Sequence, residues 1–298
     1  MEDDNFGMVP LLNAEDVEIL MHRDAHFGSN FNVMIDYYNQ DGIGVMPDFD
    51  LERIHYLKEK EEEMGEDLSI NFMPFTAKGV VDHAKKLYVD LRSVYEEDTK
   101  GIGPLISDLI LTESEEPEAE ISALLPYGEE AAKALLHLLT TDSFFDPLFP
   151  GYGRAPTYAA AALAKMKYEK AIPFLFTAIG QDNFFVDEAL IQALVSFGKP
   201  AKEFLLKRLR GSPYTKDNET AIIALSSFEE DSEIARQALE LLEDPQTFKH
   251  EAFAIYLVFA CSSLKEQGDR HRFKAISHLS HVPRAIKAEM EMVIKHYV

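Results

Sequence analysis

The sequence predicts an all-α protein, a solenoid of stacked antiparallel helix pairs that follows an N-terminal helical region. Apolar residues recur at three- and four-residue spacing along most of the chain, and one helix-pair unit recurs at a nearly constant step. The clearest pair is residues 182–209, in which Leu190 and Leu194 share a face of the first helix and Leu205 lies in the second. Pro200 suits the first turn of the second helix, because its missing N–H needs no partner there. Neither helix buries its apolar face alone, so the pair requires neighbours.

The composition supports a packed core and an acidic surface. Of the 298 residues, 46% are hydrophobic and 11% aromatic, which is ample for a globular core. The net charge is −23, and most of it lies in residues 1–120, whereas the chain from Lys265 onward is slightly basic. An acidic surface repels phosphate backbones, so nucleic acid is not an expected partner. The carboxylates are either a solvated coat or an attractive surface for a basic protein.

Cysteine usage and hydropathy predict a protein of the reducing cytoplasm. Cys261 is the sole cysteine and lies in an apolar run, so we expect it to be buried and unreactive. The first residues, MEDDNFG, are acidic and do not resemble a signal peptide. No apolar stretch approaches the roughly 18 residues of a membrane span, so no membrane association is expected.

Residues 1–76 are predicted to form the N-terminal helical region. Its helices are marked by capping residues at their starts and by stop residues at their ends. The predicted elements are a helix over 14–22, a helix capped by Ser29 or Asn30 with Phe31, Met34, Ile35 and Tyr38 on one face, a helix capped by Asp48 or Asp50 and stopped at Gly65, and irregular chain over 66–77.

The remaining residues, 77–298, are predicted to form the solenoid. Its first helix begins at Thr76 and is followed by a short helix over 103–114 and an acidic connector over 113–120. The apolar stripe of the first helix comprises Val80, Ala84, Leu87, Leu91 and Val94.

A tetrad of Ala-Leu-x-x-aromatic or Met marks the first helix of each later pair. It recurs at steps of 39, 31 and 31 residues, and one further step of 31 predicts a bulkier version. The tetrads begin at Ala123, Ala162, Ala193 and Ala224, and the bulkier version is Ile255, Tyr256 and Phe259. Because the second helices keep the same phase, chance composition does not explain the pattern.

The pair at 182–209 resembles the HEAT-like repeat, in the short bacterial variety named after phycobilisome lyases. The resemblance rests on Asp182, Val186, Ala189, Ala193, Leu194, Phe197, Gly198 and Ala201. The pair departs from it at Asp187, where such repeats usually carry arginine, and the resemblance covers roughly residues 117–265. Repeats of this kind stack into a curved solenoid with an extended concave face, and proteins that resemble this are mostly scaffolds for another protein. The resemblance implies no lyase activity, and nothing marks a bilin site.

The 142–156 loop is the first candidate binding site. It accounts for the longer 39-residue step, and an insertion in a solenoid often lies on the binding face. Aromatic side chains on a stiff loop are typical anchors of protein interfaces. The predicted partner-binding residues are Phe144, Phe145, Leu148, Phe149, Tyr152 and Arg154. The alternative for Phe144 and Phe145 is that they pack under the next helix, as expected for Phe184 and Phe185.

A histidine and aspartate cluster near the N-terminus is the second candidate site. His22, Asp24 and His26, with Asp36 and Asp41 downstream, carry ligand types that suit zinc, iron or manganese. On a helix, His22 and His26 would share a face and Asp24 would point elsewhere, whereas an extended segment would align all three. The alternative is that these are ordinary polar residues of a lead-in segment. No cofactor is expected.

A basic stretch near the C-terminus is the third candidate site. It suits a phosphate or an acidic peptide, but also the polar outer face of a terminal capping repeat or pairing with the acidic half of another copy. Its basic residues are Arg270, His271, Arg272, Lys274, His278, His281, Arg284 and Lys287. The sequence carries no glycine-rich nucleotide loop and no spacing of Ser, His and Asp that suggests a nucleophilic triad.

The sequence therefore favours a non-enzymatic scaffold that binds a protein partner through the concave face and the 142–156 loop. The alternative is a metal-dependent enzyme that uses His22, Asp24 and His26. A third possibility, HEAT-like DNA repair, is disfavoured by the negative charge. We expect a monomer or weak self-association, with neither a nucleic acid nor a membrane as partner.

Overall fold

A computed structural model describes residues 12–97, 101–180, 184–228 and 231–297. These residues form α-helices and short 3-10 turns, and no β-strand occurs in the described ranges. The helices pack in neighbouring pairs, so the predicted all-α solenoid class is confirmed. The chain divides into two compact units, unit 1 (Met1–Ala159) and unit 2 (Ala160–Val298). The predicted domain boundary after residue 76 stays a prediction.

Unit 1 is organised around one long helix of 23 residues, α5. Its helices are α1 (Ala14–His26), α2 (Phe31–Tyr38), α3 (Leu51–Met64), α4 (Leu68–Phe72), α5 (Phe75–Glu97), α6 (Ile102–Leu111), α7 (Glu118–Leu124) and α8 (Gly128–Thr140). Helix α1 packs along α5, and α3 and α4 pack on α1 as well. The core between these helices holds Ile19, Met34, Ile54 and Leu57, all fully buried. Helix α1 is therefore covered from several sides, which buries even its polar residues.

The predicted caps of unit 1 are confirmed. The side chain of Asn30 accepts hydrogen bonds from two backbone N–H groups of the first turn of α2. Asp50 accepts the Glu52 N–H at the start of α3, and Gly65 ends that helix in the left-handed conformation. The predicted apolar face of α2, including Met34, is buried. These local signals in the sequence therefore sufficed to place the helix ends.

Four predictions for unit 1 were wrong in detail. Helix α1 continues to His26 rather than ending at residue 22, because its C-terminal half packs on α5. The segment predicted to be irregular contains α4, and α5 begins at Phe75, one residue early. The stripe of α5 is rotated, since Val81 is buried while Val80 is 37% exposed. Tertiary packing, rather than the apolar pattern alone, determined which of the two valines faces the core.

Unit 2 is a regular stack of helix pairs. The division between the units lies within α9 (Ala155–Lys165). The later helices of unit 2 are α10 (Ile172–Ala178), α11 (Phe184–Phe197), α12 (Lys199–Leu209), α13 (Lys216–Leu225), α14 (Ser232–Leu242), α15 (Glu251–Ala260), α16 (Gln267–Ser277) and α17 (Arg284–Lys295). Helices α11, α13, α15 and α17 contact one another in succession. On the other side, α10 contacts α12 and α14 contacts α16. The first and second helices of the pairs thus form two layers, as in a solenoid.

The fifth tetrad was placed two residues too early. Leu257 and Val258 are fully buried in α15, whereas Ile255 and Tyr256 are half-buried and Phe259 is 44% exposed. The connector before α15 contains an additional 3-10 turn, Thr247–Lys249, which shifts the register of the repeat. A prediction that assumes a fixed step of 31 residues fails where the length of a connector changes.

The expected burial of Cys261 is confirmed. Its Sγ lies 3.8 Å from the carbonyl oxygen of Ala235, and burial raises the pKa of the thiol well above its usual value, which disfavours a reactive thiolate. In the described part of the chain, no helix combines the length and the apolar character needed to cross a membrane.

Candidate functional site

Two of the three candidate sites meet in unit 1. Helix α1 carries His22 and His26 one turn apart, with their ring centroids 4.5 Å from each other. The loop between α8 and α9 packs against them, because His26 Nε2 donates a hydrogen bond to the Pro147 carbonyl at 3.0 Å and the Tyr152 ring centroid lies 4.6 Å from that of His26. The histidines and the 142–156 loop, which the sequence presents as separate candidates, therefore belong to one site.

The loop is shaped by three consecutive residues in the left-handed region. Gly151, Tyr152 and Gly153 have φ angles of 85°, 53° and 74°. A Cβ atom at Gly151 would lie 2.7 Å from the carbonyl oxygen of Ile110, and one at Gly153 would lie 2.7 Å from that of Phe145. Both positions therefore require glycine. This turn directs the Tyr152 ring toward His26.

Most aromatic side chains of the loop lie in the interior. Phe144, Phe145 and Phe149 are buried, and Phe149 packs against Ala25 and Ala84 of the two long helices. Burial against α1 and α5 removes more apolar surface from water than exposure on a loop would allow. Leu148, Tyr152 and Arg154 keep partial exposure.

Phe144 and Phe145 are thus buried, in agreement with the alternative that they pack in the interior, and Phe149 is buried as well. Partner binding by this loop stays a prediction, and its half-exposed residues are those that can take part without rearrangement. The sequence also predicts that Phe184 and Phe185 pack under the next helix, but their side chains lie outside the described residues.

A tyrosine cluster fixes the loop to the helices. The ring centroids of Tyr37 and Tyr152 lie 6.2 Å apart, the Tyr88 hydroxyl bonds to His26 Nδ1, and Tyr37 donates to Glu113 at 2.8 Å. The Gly44 N–H donates to the Tyr37 hydroxyl at 2.9 Å, and a Cβ atom at Gly44 would overlap the Tyr152 ring. Burial raises the pKa of Tyr88 and of Tyr152, so both remain protonated near neutral pH.

Both histidines of α1 are neutral near pH 7. Burial lowers the pKa of His22 to about 3 and that of His26 to about 4. Because His26 Nε2 donates to Pro147, its Nδ1 is the acceptor for the Tyr88 hydroxyl, which lies 2.7 Å away. Both ring nitrogens of His26 therefore have partners.

His22 differs in having one nitrogen without a partner. Its Nε2 is buried and has no hydrogen-bond partner among the described residues, the only such side-chain atom in these ranges. A buried polar atom left in this state costs about 1–3 kcal/mol. The ring is surrounded by aromatic neighbours, with the centroids of Phe27 and Phe49 at 5.5 and 5.6 Å. Because buried polar atoms in folded proteins are nearly always paired, this nitrogen calls for a partner beyond the described residues.

His22, which is almost completely buried, lines a cleft of about 390 Å³ that we call the His22 cleft. Apolar side chains from α1, α5, the chain before α3 and the 142–156 loop form most of its wall. It is lined by Glu18, Met21, His22, Met46, Phe49, Val80, Asp146, Pro147 and Leu148. A volume of this size falls in the range of about 300–1,000 Å³ found for ligand sites.

The predicted metal ligands are not brought together. Asp24 accepts a hydrogen bond from Nε of Arg23 at 2.8 Å, because the helix directs it away from the face of His22 and His26. No group of three or more His, Cys, Asp or Glu side chains that could hold a metal occurs within the described ranges. Asp36 and Asp41 are exposed. The helical alternative for this segment is the one observed.

A second cleft in unit 1, about 500 Å³ in volume, lies along α6 and α7. Its carboxylates already have partners within unit 1. Asp108 accepts from Tyr95, Glu113 from Tyr37 and Glu120 from Thr112. The His22 cleft, which contains the unpartnered nitrogen, is therefore the stronger candidate.

Part of the C-terminal basic stretch is occupied within unit 2. Arg270 donates to the Leu264 carbonyl at 2.8 Å and lies over the Tyr297 ring, and Arg272 pairs with Glu243 and Asp269. Other members are exposed, namely His271, Lys274, His278, His281 and Arg284. Anion binding by this stretch stays a prediction.

Comparison with known families matches residues 155–226 to HEAT repeats. The match spans α9 to α13, so the predicted HEAT-like repeat character is confirmed there, while the phycobilisome-lyase variety is not distinguished. A search of curated proteins gave no match to the chain. HEAT repeats generally act as protein-interaction scaffolds and are typically non-enzymatic. The His22 cleft lies N-terminal to the matched range, so the family match says nothing about it.

Proposed function

We propose that this HEAT-like repeat protein is a non-enzymatic scaffold that binds a segment of a protein partner in the His22 cleft. The observation that carries the proposal is the position of the 142–156 loop. Its Pro147 and Leu148 line the cleft together with Phe49, Met46 and other apolar side chains. The loop thus takes part in binding as a wall of the cleft.

The cleft has the properties of a preorganised peptide-binding site. Apolar side chains line it, and burial of a partner's apolar surface contributes about 25 cal/mol per Å². Met21 and Met46 give it walls that adapt to different shapes. The hydrogen bonds of His26 and the tyrosine cluster hold the loop in place before binding, which reduces the entropy lost on association.

The proposal differs from the sequence prediction in which molecule supplies the inserted side chain. The sequence predicts loop aromatics that enter a partner, whereas the buried rings of Phe144, Phe145 and Phe149 support a cleft that a partner enters. Contact through the predicted concave face remains part of the proposal, for the rest of the partner's surface.

Affinity capture from extracts of the source cells tests the proposal with a matched pair of variants. Val80→Glu places a charge at the cleft wall, and Val89→Glu places the same charge on α5, about two and a half turns away and therefore on the opposite side. Val80 is 37% and Val89 64% exposed, so neither substitution disrupts the core. We expect a specific partner to be retained by Val89→Glu and reduced at least about tenfold by Val80→Glu.

Two other outcomes would separate the scaffold function from the use of the His22 cleft. A partner captured equally by both variants would show a scaffold that uses another surface. If the wild-type protein captures no specific partner, the scaffold function is rejected.

A further inference from the structure

His22 restricts the chemistry of what the cleft can bind. The Gly44 N–H is donated to the Tyr37 hydroxyl, so the backbone group of Gly44 that favours a proton on the His22 ring is its carbonyl. Since Nε2 is the nitrogen without a partner, the ring proton is assigned to Nδ1, toward that carbonyl. In a neutral imidazole this leaves Nε2 as a bare acceptor.

The surroundings of Nε2 exclude a charged group at the base of the cleft. His22 is 3% exposed and packs among aromatic rings, where an unpaired ion would be costly. A group that satisfies Nε2 must donate a hydrogen bond, must be neutral, and must end an apolar body that fits walls of Met21, Phe49 and Leu148. A tyrosine hydroxyl or a tryptophan N–H meets all three conditions.

The rim of the cleft has the opposite character. Glu18 and Asp146 line it and are exposed, and neither forms an ion pair with any described residue. Asp146 accepts the backbone N–H of Leu148, which fixes its position. Together with the net charge of −23, these carboxylates favour a cationic neighbour of the inserted side chain.

We infer that the His22 cleft recognises a short segment in which a tyrosine or tryptophan lies beside lysine or arginine. The aromatic side chain enters the cleft and donates its O–H or N–H to His22 Nε2, and the basic residue pairs with Glu18 or Asp146 at the rim. This inference rests on the proposed function, because it names the chemistry of the segment that the scaffold binds.

Three blocked peptides test the hydrogen bond on the full-length protein: acetyl-Lys-Tyr-Lys-amide, acetyl-Lys-Trp-Lys-amide and acetyl-Lys-Phe-Lys-amide. Titration followed by NMR gives the affinity of each and the ¹⁵N shift of His22 Nε2. We expect the tyrosine or the tryptophan peptide to bind about tenfold more tightly than the phenylalanine peptide, as one neutral hydrogen bond predicts. Of the three peptides, only those with a hydrogen-bond donor on the aromatic side chain, tyrosine or tryptophan, should shift the His22 Nε2 resonance.

Variants of two lining residues separate the two contacts. His22→Leu removes the acceptor and should bring the affinity ratio close to one, while His22→Gln supplies another acceptor and should restore part of it. Glu18→Gln should weaken all three peptides about threefold and leave their ratio unchanged, since it alters only the rim charge.

The outcomes distinguish this inference from the proposed function. Equal binding of the three peptides to the wild-type protein, a ratio that persists in His22→Leu, or no binding in the cleft by any peptide would each overturn the inference. The scaffold function is decided separately by partner capture with Val80→Glu and Val89→Glu, which does not depend on the identity of the bound side chain.

Discussion

The two units hold arginine side chains in opposite ways. In unit 1, Arg23 is fully buried and bonds to Asp24, Glu61 and Asp67 at 2.6–2.7 Å, with Phe31 beneath its guanidinium. In unit 2, Arg272 lies at the surface and pairs with two carboxylates of similar geometry. The comparison teaches that unit 1 buries an arginine and its ion pairs beside an apolar core, whereas no charged side chain is buried in the described part of unit 2.

Helix α1 concentrates this difference. Among the described residues, every buried charged side chain and buried histidine lies on α1, namely Asp16, His22, Arg23 and Asp24. The helices of unit 2 bury alanine and leucine instead, as a stack of similar pairs requires. A helix with buried polar residues restricts how neighbouring elements can pack, and the His22 cleft is formed along this helix.

Substitution of the two arginines should give the largest contrast. Arg23→Leu leaves three carboxylates around a site that has lost its only cation, and we expect a loss of about 3–5 kcal/mol in the free energy of unfolding. Arg272→Leu removes exposed pairs and should cost less than about 1 kcal/mol. Urea unfolding measures both values, and peptide-resolved hydrogen exchange should show the Arg23→Leu effect in unit 1. Equal losses would remove the distinction between the units.

Unit 2 has one polar residue whose role approaches that of Arg23. Asn218 Nδ2 lies 2.8–3.2 Å from the carbonyl oxygens of Arg208, Leu209 and Gly211, and its Oδ1 accepts the Thr215 N–H. It therefore joins the end of α12 to the start of α13. We expect Asn218→Ala to cost about 2–3 kcal/mol, because several buried backbone groups lose their partner.

The exposed Gln192 of α11 provides the control for Asn218. Gln192→Ala should change the free energy of unfolding by less than about 0.5 kcal/mol. If Asn218→Ala is equally mild, the connectors of the repeats are held by apolar packing alone, and the contrast with unit 1 becomes sharper.

A pair of glycine substitutions tests the close packing of the candidate site. A Cβ atom at Gly44 overlaps the Tyr152 ring, so Gly44→Ala should cost about 1–3 kcal/mol by overpacking and should displace the loop from His26. Gly268, in the first turn of α16, has nothing within 4 Å of its Cβ position. Gly268→Ala should be neutral or stabilise by up to about 1 kcal/mol. Calorimetry and the His26 ring resonances give the comparison, and a neutral Gly44→Ala would contradict the geometry of the cluster.

The sequence predicted unit 2 better than unit 1 for a physical reason. In a stack of similar helix pairs, the core residues recur at a regular spacing along the sequence. Four of them could therefore be identified as buried without knowledge of long-range contacts, namely Ala193, Leu194, Ala224 and Leu225. The prediction failed at Ile255 only where the connector length changed.

The candidate site could not be predicted from a periodic pattern in the sequence. His26 and Pro147 are 121 residues apart in the chain, and no periodic signal relates them. The glycines on either side of Tyr152 were visible in the sequence, but the left-handed turn they permit became meaningful only with its neighbours in place. Aromatic composition alone did not distinguish rings that support a loop, such as Phe149, from rings that a loop exposes.

The pH dependence of stability should report the two histidines of α1, His22 and His26. The pKa values of His22 and His26 in the folded state, about 3 and about 4, lie below the ordinary value of 6.5. Above pH 6.5 both are neutral in the folded and the unfolded chain, and the full stability is present. As the pH falls below that value, the unfolded chain takes up protons that the folded protein does not. Stability is then lost at about 1.4 kcal/mol per pH unit for each histidine, down to about pH 4 for His26 and about pH 3 for His22.

The window from pH 6 to 4.5 separates this effect from that of the carboxylates. Asp16, Asp67 and Asp231 have pKa values lowered from 3.8, so stability due to them is lost only at more acidic pH. Urea unfolding of His22→Leu across the window should show about half the wild-type slope, because His26 alone still contributes. An unchanged slope would mean that His22 is protonated in the folded protein. Its Nε2 would then be a donor, and the cleft would favour an acceptor such as a carbonyl or carboxylate instead of a tyrosine hydroxyl.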